Sequence, residues 1–218
     1  MDKQFDLVVF DWDGTLVDST EHIAASIQAA ANDLNLPIPS DQQARYIIGL
    51  GLADAMKFLF PAIEHTRYGD VSARYSYHFL AGNHRIHPFP GAEDMLEGLN
   101  RAGYVVGIAT GKSRRGLDRS LEESGLARFF HITRCADEGF PKPHPGMLLH
   151  LMDEVIARPA RTLMIGDTTH DVSMAHNAGA SAVAVSYGAH EKEGLLAARP
   201  LACVDSVTEL TRWLRNNG

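Results

Sequence analysis

The sequence predicts an α/β fold: a Rossmann-like parallel sheet with helices on both faces and an inserted α-helical cap. Three observations predict it. Short apolar runs alternate with helix-like stretches along most of the chain, the pattern of a parallel sheet with crossover helices. The first two runs are separated by about 90 residues, where one crossover needs about 30. Carboxylates stand just beyond two of the runs, and the carboxyl ends of the strands are where an open α/β sheet binds ligands.

The strand-like runs cover residues 7–10, 104–109, 131–135, 162–165, 181–185 and 201–204. They are short and apolar, as buried strands are. The third is the weakest, because it carries His131, Thr133 and Arg134. The helices between them carry start and stop signals. Pro90-Gly91 opens a stretch with Met95, Leu96 and Leu99, closed by Gly103. Ser113 caps a helix that runs toward Gly125. Pro145 suits the first turn of a helix carrying Met147, Leu148, Leu151, Met152 and Val155. Ser206-Val207-Thr208-Glu209 has the pattern of a capping box.

The long gap after the first strand holds no strong strand run. Ile23, Ile27, Ala30 and Leu34 fall at helical spacing, and Ser40-Asp41-Gln42-Gln43 offers another helix start. Met56, Phe58, Leu59 and Phe60 form a third apolar cluster, and residues 68–80 a fourth helical segment. The expected organisation is therefore a core of residues 1–19 and 86–218, interrupted by a cap at 20–85. His87-Pro88-Phe89-Pro90-Gly91 is the expected return hinge.

The chain has 218 residues and a formal net charge of −7, which argues against an electrostatic nucleic-acid binder. Its two cysteines, Cys135 and Cys203, lack a C-x-x-C spacing and read as reduced structural thiols. The run Met1-Asp2-Lys3-Gln4 has no basic head or apolar signal core. No apolar stretch approaches the ~20 residues that span a bilayer. A cytoplasmic protein without a membrane partner is the expectation. Oligomeric state leaves no signal.

Four runs carry chemistry. The first strand leads into Asp11-Trp12-Asp13-Gly14-Thr15, with two carboxylates two residues apart. The second ends in Ala109-Thr110-Gly111-Lys112-Ser113. Three prolines surround one lysine in Gly139-Phe140-Pro141-Lys142-Pro143-His144-Pro145. The fourth strand leads into Gly166-Asp167-Thr168-Thr169-His170-Asp171. Read singly, these have plain alternatives: turn residues for the aspartate pair, a solvated loop lysine, and a helix N-cap for Asp167. A P-loop reading of Gly107-x-x-x-Gly111-Lys112-Ser113 fails because the spacing is one residue short.

In this order, the four runs resemble the motifs of the haloacid-dehalogenase-like (HAD) hydrolases. The layout resembles the helical-capped subgroup that includes phosphoglycolate phosphatases. The resemblance implies Asp11 as a nucleophile toward phosphorus and Asp13 as general acid/base. It implies Thr110 and Lys142 as catalytic and phosphate-binding residues, with the amides of Gly111 and Lys112 as further donors. It implies Mg²⁺ on Asp11, the Asp13 carbonyl and Asp167, with Asp171 acting through water or as an outer partner. Asp13 argues against a dehalogenase, which lacks that acid.

The implied activity is Mg²⁺-dependent hydrolysis of a small phosphorylated metabolite through an aspartyl-phosphate. Two alternatives stand beside it: a phosphohexomutase of the same fold, and a non-catalytic phosphate-ligand module. The mutases place a histidine twelve residues after the nucleophile, where this chain has Ile23, one residue from His22. His22, His144, His170 and His176 read as surface or packing residues, and Trp12 should point away from the acids. Arg45, Tyr46 and Gly49-Leu50-Gly51 are either substrate-reading cap residues or a plain turn between helices.

Overall fold

The computed structural model describes residues 3–81 and 86–218. The first two residues of the N-terminal run and the expected end of the cap, residues 82–85, lie outside them. Six strands form one parallel sheet: β1 (Leu7–Phe10), β2 (Val105–Thr110), β3 (Ile132–Cys135), β4 (Thr162–Gly166), β5 (Ser181–Val185) and β6 (Ala202–Val204). Their order is β3-β2-β1-β4-β5-β6, the Rossmann arrangement. β1 lies in the centre, with Phe10 level with Ile108 on one side and Ile165 on the other.

Alternation along the strands divides the core into two layers. Val8, Phe10, Val106, Ile108, Leu163 and Ile165 face one way. They pack against α5 (Ala92–Arg101), α6 (Arg114–Ser124) and α10 (Val207–Asn217). Leu7, Val9, Met164, Ala182 and Ala184 face the other way. That layer meets α7 (Gly146–Glu154), α8 (Thr169–Asn177) and α9 (Lys192–Ala197).

Among the described residues, four α-helices lie between β1 and α5: α1 (Thr20–Asp33), α2 (Asp41–Tyr46), α3 (Leu52–Leu59) and α4 (Tyr68–Ala81). They enclose a separate apolar cluster with Ala24, Ile27, Ala31, Met56, Phe60 and Val71. The outgoing and returning chain segments are bonded to each other. Asp18 N–H donates to the His87 carbonyl at 3.0 Å, and Phe89 N–H to the Leu16 carbonyl at 2.9 Å. The segments at residues 16–18 and 87–89 thus form one paired neck beneath these helices.

Element ends differ from the sequence reading by a residue in places. β2 begins at Val105 and ends at Thr110, because Thr110 still pairs with Cys135. His131 precedes β3, yet its N–H already donates to the Val106 carbonyl at 2.9 Å. The expected capping box at Ser206 is half formed. Ser206 Oγ accepts from Glu209 N–H, but the Glu209 carboxylate accepts from Asp205 N–H, one residue early. Both halves form at Ser40 and Gln43.

Leu148 on α7 is fully buried under the sheet. Leu148→Ala should cost about 2–5 kcal/mol, read as a lower urea midpoint with an unchanged slope. A loss within experimental error would show that α7 does not close this layer.

Candidate active site

All strands being parallel, the loops after β1, β2 and β4 emerge on one edge of the sheet. Asp11 continues the β1–β4 pairing, its N–H donating to the Ile165 carbonyl at 2.8 Å. Its carboxylate is buried, as are Asp167, Asp171 and Lys142. The Lys142 ammonium lies 2.8 Å from Asp11 Oδ1 and 2.6 Å from Asp171 Oδ1. Trp12 turns to the opposite side, as alternation requires. It is fully buried, and its Nε1–H donates to Ser120 Oγ at 2.8 Å.

Each acid is held differently. Asp167 Oδ1 accepts from the Thr15 hydroxyl at 2.8 Å, and Oδ2 from Ala189 N–H at 2.7 Å. Asp171 Oδ2 accepts from the Thr168 N–H and hydroxyl at 3.0 and 2.6 Å. Thr168, not Asp167, caps α8, so the plain N-cap reading of Asp167 does not hold. Gly14 sits at a positive φ, and a β-carbon there would come 2.2 Å from Asp167 Oδ2. Gly188 approaches the same oxygen equally closely. Only hydrogen at these positions leaves room for the carboxylate.

Three carboxylates and one ammonium are therefore buried together, the ammonium paired with Asp11 and Asp171. Burial, and the neighbouring acids with it, pushes the Asp11 carboxyl up to about 7 against the pull of Lys142. Burial also raises Asp167 well above the usual range, and the charges of Asp11 and Asp171 add to the rise. For Lys142, burial disfavours the charge, but Asp11 and Asp171 outweigh it and raise its pKa. A dication would relieve this excess. The residues fit one: ligand oxygens of Asp11, Asp167 and Asp171 lie within 4.8 Å of one another. Asp11 Oδ2 has no hydrogen-bond partner among the described residues.

Asp13 stands outside that trio. Its Oδ1 accepts from the Ser19 hydroxyl at 2.7 Å, and its Oδ2 lies 3.0 Å from the Lys112 ammonium. The sequence reading gave Lys112 a role through its amide. In the structure, that amide donates to Thr110 Oγ1 at 3.2 Å, and the side chain reaches Asp13. Thr110 is buried, and its hydroxyl proton remains available to a ligand oxygen. Gly111 lies against the backbone of Gly49.

A cavity of about 1240 Å³ opens above these groups. Asp11, Asp13, Thr110, Gly111 and Lys112 line it from the sheet side, and Ile23, Ile48, Gly49, Tyr75 and Phe79 from the insertion. The C-terminal end of α2 holds the insertion to the core. The Tyr46 carbonyl accepts from His170 Nε2 at 2.9 Å and from His190 Nε2 at 3.0 Å. Its ring stacks on His190 at 5.3 Å. Arg45 is turned to the Thr20 hydroxyl. His170 is thus a packing residue, and His22 bonds to the Phe79 carbonyl at 2.8 Å.

The sequence reading missed the loop after β5. Tyr187 OH donates to the Thr15 carbonyl at 3.0 Å, and Ala189 N–H holds Asp167. Tyr187-Gly188, separated from the end of a strand by one residue, was the available signal. It also missed Ser19 and Thr15, which stood inside the first motif.

The fold and the acid cluster define an α/β enzyme with a metal-compatible site at the carboxyl edge of its sheet. The model of the haloacid dehalogenase-like hydrolases matches residues 8–185, and the chain belongs to that family. It is 36% identical to "Probable phosphatase IndB" of Dickeya dadantii, over 94% of this chain and 91% of that protein. It is 31% identical to the phosphoglycolate phosphatase of Nitrosococcus oceani, over 97% of both chains. It superposes on the crystal structure of a hydrolase from Pseudomonas syringae with a TM-score of 0.89 at 25% identity, covering 98% of both.

The raised Asp11 pKa makes stability depend on pH. Between its ordinary 3.8 and about 7, the folded state alone keeps the proton. Stability in EDTA should therefore fall as pH rises through that window. Asp11→Asn, which cannot ionise there, should melt above wild type at pH 8, with the gap narrowing toward pH 4. A gap independent of pH would contradict the assignment.

Proposed function

We propose that the chain is a Mg²⁺-dependent phosphomonoester hydrolase, similar to phosphoglycolate phosphatases, that acts on a small phosphorylated metabolite through an aspartyl-phosphate. The observation that carries this reading is the trio of buried carboxylates, two of them paired with one buried lysine, open to a cavity through Asp11. In this reading, residues 1–19 and 86–218 form the catalytic core and residues 20–85 a helical cap. The free thiols Cys135 and Cys203 accord with a reducing cytoplasm. Among the described residues, no helix is long and apolar enough to cross a membrane.

The all-oxygen donor set suits magnesium. Asp11, Asp167 and the Asp13 carbonyl would hold it, with Asp171 through water. Bound there, the ion would offset the charges of the carboxylates and the phosphate. The protein's own part follows from its geometry. Thr110 and Lys142 position the phosphoryl oxygens, with the Gly111 amide as a further donor. Asp11 attacks phosphorus. Asp13, fixed between Ser19 and Lys112, protonates the leaving oxygen and then accepts a proton from water as the aspartyl-phosphate is cleaved. The Gly49 backbone and the insertion helices limit solvent above Asp11.

Water is the acceptor in this reading rather than a second sugar hydroxyl. Ile23 lines the cavity where a mutase carries its histidine. The His22 imidazole is engaged by the Phe79 carbonyl. A module that only binds phosphate would not need a second carboxylate fixed at the cavity floor.

Phosphate release from phosphomonoesters should stop in EDTA and return with Mg²⁺. Asp11→Asn should abolish turnover while retaining the fold, and Asp13→Asn should lower kcat by about 10²–10⁴-fold. Unchanged turnover in metal-free enzyme, or wild-type rates in Asp11→Asn, would overturn the mechanism.

A further inference from the structure

We propose that the alcohol released by this enzyme is apolar or aromatic, and that Ile23, Ile27, Ile48, Tyr75 and Phe79 form its binding wall. The inference rests on the phosphatase reading and narrows its substrate class. The two sides of the cavity differ in chemistry. The sheet side carries the acids, Thr110 and Lys112, while these five side chains belong to an insertion lining that is mostly apolar among the described residues, with Ser72 and Ser76 as polar exceptions. The Tyr75 and Phe79 rings lie 5.6 Å apart on one turn of α4. Burial, with the Asp13 charge adding to it, raises the Tyr75 phenol above its ordinary value, so the wall carries no charge.

A phosphorylated acid or polyol would need fixed cations or paired polar groups here, because a desolvated polar group without partners is costly. Among the described residues, the insertion does not supply the cations. Arg45 is turned to Thr20 and Arg74 to Asp33, and neither lines the cavity. Lys112 reaches in from the sheet side, but its ammonium is already 3.0 Å from Asp13 and sits 5.0 Å over the Phe79 ring. Arg115 and Arg119 line the cavity from α6 with exposed side chains. At about 1240 Å³, the space also exceeds what a two-carbon ester fills. An apolar or aromatic group uses both the volume and the wall.

The test is a chain-length series of ethyl, butyl and hexyl phosphate, with 2-phosphoglycolate and phenyl phosphate alongside, on the Mg²⁺-loaded full chain. The alkyl alcohols differ little in acidity, so a trend reports binding rather than leaving-group reactivity. We expect kcat/KM to rise about two- to fourfold per methylene, up to the factor for complete burial of a CH₂. Hexyl phosphate should then exceed 2-phosphoglycolate by about tenfold. In Phe79→Ser, the hexyl-to-ethyl ratio should fall by about threefold or more. That ratio is taken within one protein, so lost stability cancels, and the wild-type series decides if the variant does not fold. A flat or falling series, or preference for 2-phosphoglycolate, with phenyl phosphate still hydrolysed, would overturn the inference alone. Failure to release phosphate from any ester would overturn the phosphatase reading and this inference with it.

Discussion

Lys142 is fully buried, with its ammonium 2.8 Å from Asp11 and 2.6 Å from Asp171. Desolvating such charges costs several kcal/mol per ion, which close pairing recovers only in part. Asp167 adds another buried carboxylate, held by neutral donors alone. The cluster is therefore left short of positive charge. That shortage makes the site receptive to a cation, and any cation bound only by the folded state also stabilises it. In the proposed mechanism, function and stability are coupled through the same few atoms.

The rest of the architecture keeps these atoms in register. The parallel sheet delivers the loops after β1, β2, β4 and β5 to one edge. The Pro141-Lys142-Pro143 segment, ahead of α7, brings the lysine beneath that edge. Thr168 caps α8 and fixes Asp171 in the same contact. Gly14 and Gly188 clear the space that Asp167 occupies. From the other side, the insertion hangs on the paired neck at Leu16–Phe89 and on Tyr46, whose carbonyl two imidazoles share. Burial holds both histidines below their ordinary pKa, which keeps that contact neutral.

Much of this was legible in the chain. The six runs correspond to the six strands within a residue or two, because short buried strands leave mostly apolar runs, weakest in β3 where Thr133 and Arg134 interrupt it. The four insertion helices followed from spacing and caps. Asp11, Lys142, Asp167 and Asp171 were recognisable because each stood in a constrained run beside a strand or a helix start, and the fold brings all four together. What the sequence left out depends on contacts between loops distant in the chain. Lys112 gave no sign that its side chain, rather than its amide, would meet Asp13. Tyr187 and Ala189 touch the site only because β5 lies next to β4. The shared hold of His170 and His190 on Tyr46 joins segments more than a hundred residues apart, beyond the reach of any local pattern.

The central claim is that Asp11 becomes covalently phosphorylated during turnover. Rapid acid quench followed by borohydride reduction would convert an aspartyl-phosphate to homoserine, which peptide mass spectrometry can locate. The account predicts homoserine at residue 11, formed only when both phosphomonoester and Mg²⁺ are present, and none at Asp13, Asp167 or Asp171. Steady turnover with no modified residue, or modification at one of the other three aspartates, would contradict it.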